Sequence, residues 1–93
     1  MKYIDWDSVK NERLKIERNI SFEEVLIAIH EGRLLLVEKH PNPKKYEHQQ
    51  IMIVEIGGYV YVVPFVEDNK KYFLKTIIPS RKLTKKYIIK MNR

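Results

Sequence analysis

The residue types best suited to chemistry gather near the C-terminus, where cations surround a predicted strand and helix. Residues 69–93 carry nine of the eighteen Lys and Arg and no acidic residue, whereas residues 1–68 carry nine basic and twelve acidic residues. The formal charge is therefore +9 in the C-terminal part and −3 before it. Folding does not require this segregation, because crowded like charges repel and weaken the compact state. The pattern indicates an anionic partner.

Metal-independent cleavage of RNA is the reaction that these residue types suit best. It needs a base to activate a 2′-hydroxyl, cations for the crowded phosphorane and an acid for the leaving oxygen. Arg81 is the candidate for phosphate stabilisation, because a predicted strand meets a helix N-terminus there, and the guanidinium and orphan N–H groups can face one anion. Lys82 adds charge beside it.

Lys75 and His40 are the candidates for proton transfer. Lys75 interrupts an apolar strand and, on a two-residue period, shares a face with Phe73 and Ile77, where partial burial would favour its neutral form. The favoured interpretation is simpler: Lys75 lies at an edge with its ammonium group in water. Histidine titrates near neutral pH, but His40 and His48 flank a predicted loop, where exposed histidines without a catalytic role are the favoured interpretation.

The candidates for nucleic-acid binding follow Arg81 along the predicted helix. Lys85, Lys86 and Lys90 form a run of one sign, and such runs mark interaction surfaces. The solvated side of an ordinary amphipathic helix would give the same pattern. Tyr72 can supply a phenol near the cations, although a structural role is the favoured interpretation.

Composition limits the class of protein. The 93 residues predict one domain, residues 1–93, with one small core. No apolar run approaches the ~20 residues that span a bilayer, the N-terminus has no apolar signal region, and the chain has no Cys. We therefore expect a cytoplasmic protein without disulfides or membrane segments. Three widely spaced His predict neither a metal site nor a cofactor.

Two helices are predicted before the main strands. Asp7 or Ser8 caps a first helix of about residues 8–18, and Asn19 tolerates the left-handed conformation that ends it. Ser21 and Glu24 form a capping box that begins a second helix. The expected buried stripe of the first helix leaves Leu14 outside and consists of Trp6, Val9, the stem of Arg13, Ile16 and Ile20.

An antiparallel meander and a basic helix complete the predicted fold. Gly57-Gly58 is a two-residue hairpin turn, Pro64 predicts a bulge or an unpaired position, and Ser80 caps the last helix. We expect an α+β domain with helices on one face of a roughly four-stranded antiparallel sheet, two N-terminal and one basic C-terminal. The expected strands are residues 34–38, 51–56, 59–66 and 72–78, and the last helix is about residues 81–91.

Three segments, in order, resemble a known family. They are Trp6-Asp7 followed by Lys10, then Ile20-Ser21-Phe22-Glu23-Glu24, and finally Ile77-Ile78-Pro79-Ser80-Arg81-Lys82-Leu83-Thr84. Their order and spacing resemble the BrnT family of bacterial toxins, whose fold is similar to RelE-type ribonucleases. The resemblance implies an RNA-cleaving toxin held inactive by an antitoxin, either acidic or covering the basic surface. A homodimer and a hetero-oligomer with the antitoxin both stay open.

The chain departs from the family pattern near the first helix. Leu14 stands where the family usually shows Asn, and Glu17-Arg18-Asn19 where it usually shows Lys-His-Gly. If that Asn or His serves the family's activity, this chain lacks it. The alternative is a non-catalytic nucleic-acid-binding or protein-interaction module that uses the same basic surface, and steep salt dependence without cleavage would support the nucleic-acid-binding form.

Overall fold

The computed structural model describes residues 2–42, 44–45 and 48–89, and it confirms the α+β class. A short strand and two helices precede the main strands, and a helical segment follows them. The elements are β1 (Tyr3–Trp6), α1 (Ser8–Arg18), α2 (Phe22–His30), β2 (Leu34–Lys39), β3 (Gln49–Ile56), β4 (Tyr59–Glu67), β5 (Lys71–Leu74), β6 (Ile78–Pro79) and α3 (Arg81–Thr84), which continues as a π-helix (Lys85–Ile89).

The sheet is mixed, with strand order β1-β5-β4-β3-β2 and β6 paired with β4. β2, β3, β4 and β5 pair antiparallel in sequence order, as the turn signals predict. β1 pairs parallel with β5, so the expectation of a four-stranded, purely antiparallel sheet is wrong. β1 and β5 are far apart in the chain, so no hairpin constrains their relative direction.

Helix α1 has the predicted bounds and caps but buries a different side. The Asp7 carboxylate accepts a hydrogen bond from the Val9 N–H at 2.8 Å, and Asn19 ends the helix in the left-handed conformation with φ 53°. Leu14 is buried, whereas Val9 and Ile16 are 67% and 85% exposed, so the predicted stripe is wrong within the helix. Its two flanking members are confirmed, since Ile20 is buried and Trp6 packs against the core. Apolar spacing of three and four fitted two sides of this helix, and packing against α2 decided between them.

Helix α2 begins with the predicted capping box. The Glu24 carboxylate accepts from the Ser21 N–H at 2.9 Å, and the Ser21 hydroxyl accepts from the Glu24 N–H at 3.4 Å. Phe22, Val25 and Ala28 form the buried side of the helix. The chain turns away after α2 at Gly32, whose φ of 77° suits a residue without Cβ.

The central strands are apolar on both sides, and helices cover each side. We call the side that packs against α1 and α2 the α1–α2 face, and the opposite side the α3 face. Helices therefore lie on both faces, and the expectation that they share one face is wrong. The α1–α2 face includes Met52, Val54, Val63, Phe65 and Leu74. The α3 face includes Ile51, Ile53 and Val60, which pack against Leu83, Tyr87 and Ile88.

A bulge divides the predicted strand at residues 72–78 into β5 and β6. β4 pairs with β5 up to Leu74 and with β6 from Ile78, so three connecting residues lie opposite two residues of β4. The Pro64 carbonyl accepts from the Lys75 N–H at 2.8 Å within this stretch. Since Pro64 has no N–H, the irregular stretch lies where β4 lacks a ladder donor, as predicted. The extra residue places Ile77 in the core.

Candidate nucleic-acid interface

The C-terminal helical segment, residues 81–89, begins where Ser80 caps it. The Ser80 hydroxyl accepts from the Leu83 N–H at 3.1 Å, and the Ser80 N–H donates to the Val60 carbonyl at 3.0 Å. These bonds confirm the predicted helix start and fasten it to the hairpin end of β4. Lys90 and the rest of the predicted helix lie outside the described residues.

Thr84 fixes this segment to the sheet. It is only 7% exposed, and its hydroxyl accepts from the Val60 N–H at 2.9 Å while donating to the Ser80 carbonyl at 2.7 Å. Leu83, Tyr87 and Ile88 pack beside it on the α3 face. With its apolar side held against β3 and β4, the segment presents its basic side chains to solvent.

Four neighbouring cations of this segment are exposed and have no carboxylate partner within the described part of the chain. The Lys86 Nζ lies 5.3 Å from the Tyr87 ring centroid, so its one described contact is with an aromatic ring. Other cations do form ion pairs, and the described pairs are Lys2–Glu67, Lys15–Glu12, Arg33–Glu31 and Lys71–Asp5. The four cations, which we call the basic cluster, are Arg81, Lys82, Lys85 and Lys86.

Lys75 lies on the same side of the sheet, beside Phe73. Its side chain is exposed, and its Nζ is 5.6 Å from the Phe73 ring centroid. The bulge places Ile77 in the core of the opposite face, so the expectation that Lys75, Phe73 and Ile77 share one face is wrong. Lys71 also approaches Phe73, but its ammonium donates to Asp5 at 3.3 Å, and this hydrogen bond raises the pKa of Lys71.

His40 is half-buried and lies far from Arg81. Its backbone N–H donates to the Gln49 carbonyl, and its ring Nδ1 accepts from the Asn42 backbone N–H, both at 3.1 Å. Gln49 pairs with the far end of β4, six residues from the position to which Ser80 bonds. At roughly 3.3 Å per residue, this separation is about 20 Å along the strand. The structure therefore does not bring His40 and Arg81 to one phosphodiester.

Tyr72 lies on the α1–α2 face and is separated by the sheet from the basic cluster. Its ring meets Phe65 edge-to-face, with centroids 5.9 Å apart, and the Lys2 ammonium lies 5.5 Å from its centroid. It packs against the main core. The favoured structural role for Tyr72 agrees with this position.

Two residues that organise the fold, Asn11 and Thr84, were given no structural role from the sequence. Asn11 is buried; its carbonyl accepts from the Phe22 N–H and its amide donates to Glu23, both at 2.8 Å, which joins α1 to α2. The bond to Asn11 is the main cause that lowers the pKa of Glu23. Thr84 lies four residues after Ser80, and this spacing allows a Thr hydroxyl to bond back to a helix carbonyl.

Across residues 2–42, 44–45 and 48–89, no group of three or more His, Asp and Glu side chains is arranged to hold a metal ion. Within those ranges, no helix has both the length and the apolar character needed to cross a membrane. The chain matches no family model, no curated protein and no solved structure. The candidate interface therefore depends on geometry and on the resemblance of the quoted segments.

Proposed function

We propose that this chain binds RNA by its phosphate groups on the basic cluster and acts as a toxin of the BrnT type. The observation that carries the proposal is that four exposed cations lie close together in the chain without a described carboxylate partner, whereas Lys2, Lys15, Arg33 and Lys71 each have one. A run of phosphates can supply the missing anions, and each contact would release counterions from the RNA. The antitoxin that the resemblance implies would cover the same surface.

RNA cleavage is a second candidate function, and the position of Lys75 favours it. Lys75 bonds to Pro64, four residues along β4 from the position that holds Ser80, which corresponds to about 13 Å. Both sites lie on the α3 face, so the long side chains of Lys75 and Arg81 can approach one phosphodiester placed between them. In this form of the proposal Arg81 stabilises the phosphorane and the Lys75 ammonium donates a proton to the leaving 5′-oxygen, while a water molecule accepts the proton of the attacking 2′-hydroxyl. His40 has no part in it.

Binding and cleavage are tested together with purified protein and end-labelled single-stranded RNA in the presence of a metal chelator. We expect Arg81→Ala with Lys85→Ala to weaken binding, and Lys75→Ala to retain binding while cleavage is lost. Arg13→Ala is the matched control, because Arg13 is an exposed cation on α1, on the other side of the sheet. If the wild type does not bind RNA at low salt, the proposal is wrong.

The toxin role has a separate test in bacteria. Tightly controlled induction of the wild-type chain should arrest growth, and Arg81→Ala at equal expression should relieve the arrest. Arrest that persists unchanged with Arg81→Ala would show that toxicity does not depend on the basic cluster. RNA binding in vitro without growth arrest would indicate that the chain is an RNA-binding module and not a toxin.

A further inference from the structure

Strand β2 exposes a run of apolar side chains at one edge of the sheet. It is the last strand on its side of the sheet that the described residues form. Leu35, Leu36 and Val37 are 38%, 40% and 45% exposed. An edge strand that combines unpaired backbone groups with consecutive apolar side chains is a template for another strand. β2 is therefore a candidate interaction surface.

A bulge determines which way the side chains of β2 point. Leu34 and Leu36 oppose neighbouring residues of β3, so Leu35 is an extra residue in β2. On the two sides of the bulge, Leu34 and Val37 oppose residues of the α1–α2 face. Leu36 and Glu38 oppose residues of the α3 face. The bulge thus places two apolar residues three positions apart on the same face.

The backbone of the same two residues is directed away from β3. The His40 N–H donates to β3, and the Arg33 carbonyl accepts from β3. In an antiparallel ladder, successive residues alternate between the two neighbouring sides. Counting from these two bonds, the N–H and carbonyl groups of Leu34 and Val37 point outward. They are available to a further strand.

We infer that two copies of this chain pair through β2, antiparallel, about a twofold axis between Leu35 and Leu36. In this register Leu34 lies opposite Val37 of the second copy, and the outward backbone groups of both residues bond to each other. Leu35 lies opposite Leu36 of the second copy. Arg33 lies opposite Glu38 of the second copy, and the symmetry repeats each pair.

Charge complementarity indicates a second copy as the occupant. Every apolar residue of the run meets an apolar residue, and the cation on one side of the run meets the anion on the other. Registers centred on Val37 or on Glu38 place Glu38 opposite Leu36 or opposite Glu38 itself. Registers centred on Leu34 or on Lys39 place Arg33 opposite Leu35 or Lys39 opposite Lys39. Each of these arrangements sets a charge against an apolar residue or against a like charge, which is unfavourable. Arg33 bonds to Glu31 at 2.6 Å through Nη2, and its side chain is 36% exposed, so the guanidinium can also reach a carboxylate of the second copy.

The pairing would place both basic clusters on one surface. A twofold axis perpendicular to the sheet joins the two α3 faces, and five strand spacings of about 4.8 Å separate the two β4 strands, roughly 24 Å. One RNA could cross both clusters. The dimer itself does not depend on RNA binding, and it is tested without nucleic acid.

The test is sedimentation of the purified full chain over a wide concentration range, because a short edge-strand interface is small and weak. We expect a monomer–dimer equilibrium in the wild type. Arg33→Glu and Glu38→Arg should each weaken association by about tenfold or more, since each places like charges opposite one another. Mixing the two variants should restore dimers, because each then supplies the charge that the other lacks. Ile16→Glu, at a position 85% exposed on α1, should leave association unchanged.

A second variant separates the interface from local folding. Val37→Pro removes an N–H that points away from β3, so the fold should persist while association is lost. Circular dichroism verifies that each variant folds. A wild type that is monomeric at every concentration would overturn the inference. So would charge variants that dimerise like the wild type, or mixed variants that fold but do not associate.

Discussion

The basic cluster leads to a quantitative prediction about salt. On single-stranded nucleic acid each phosphate contact contributes about −0.7 to the slope of log affinity against log salt. The cluster has four exposed cations, so the expected slope is about −2.8. Between 50 and 200 mM salt the wild-type affinity should then fall about 50-fold. Arg81→Ala with Lys85→Ala removes half of the contacts, so its affinity should fall only about sevenfold over the same range.

The measurement is fluorescence anisotropy of a labelled, unstructured RNA titrated with protein at several salt concentrations. Arg13→Ala with Lys44→Ala is the matched control, because it removes the same net charge from exposed positions outside both the C-terminal helical segment and β2. The control slope should equal the wild-type slope. Equal flattening in both double variants would refute the reasoning, because it would show that binding follows net charge and not the position of the cluster.

Two buried polar residues support further predictions. Thr84→Val leaves the Val60 N–H without its acceptor, which should lower the free energy of unfolding by about 1–3 kcal/mol and lower Tm by about 4–8 °C per kcal/mol in calorimetry. Thr84→Ser keeps the hydroxyl and should stay closer to wild type. Equal losses of stability in both variants would assign the effect to packing. Asn11→Ala should cost a similar amount in urea unfolding and raise the pKa of Glu23 toward 4.5, measured by NMR titration. Because the folded-state pKa of Glu23 is lowered, its contribution to stability is present above about 4.5 and is lost as pH falls through the folded value, so the variant should lack this part of the pH dependence. An unchanged Glu23 titration in Asn11→Ala would contradict the assignment of the shift.

Local sequence was sufficient wherever a structure is stabilised by bonds between residues a few positions apart. Ser21 and Glu24 form the predicted capping box, Asn19 adopts the left-handed helix end, and Ser80 begins the last helix. Gly57 and Gly58 form the hairpin turn with positive φ at both residues. In each case the atoms that bond, or the dihedral angles that a residue tolerates, can be named without knowledge of the rest of the chain.

The candidate site was predictable only in part. The cations from Arg81 to Lys86 were identified from charge segregation, which is a property of the sequence itself. Whether those cations meet carboxylates depends on which distant residues lie nearby. Only the fold shows that the described ion pairs, Lys2–Glu67, Lys15–Glu12, Arg33–Glu31 and Lys71–Asp5, all lie outside the cluster. His40 and Tyr72 were placed with the cluster because their chemistry fits, but the fold puts them at the far end of the strands and on the opposite face.

Sequence alone therefore determined the helix starts, the end of α1, the hairpin, the α+β class and the polarity of charge along the chain. The tertiary structure decided that Leu14 is buried while Ile16 is exposed, that β1 pairs parallel with β5, and that α3 packs opposite α1 and α2. The physical reason is that each of these arrangements is decided by how much apolar surface the whole folded chain buries. An amphipathic spacing of three and four, or a strand that is apolar on both sides, permits more than one arrangement, and packing against the rest of the chain selects among them.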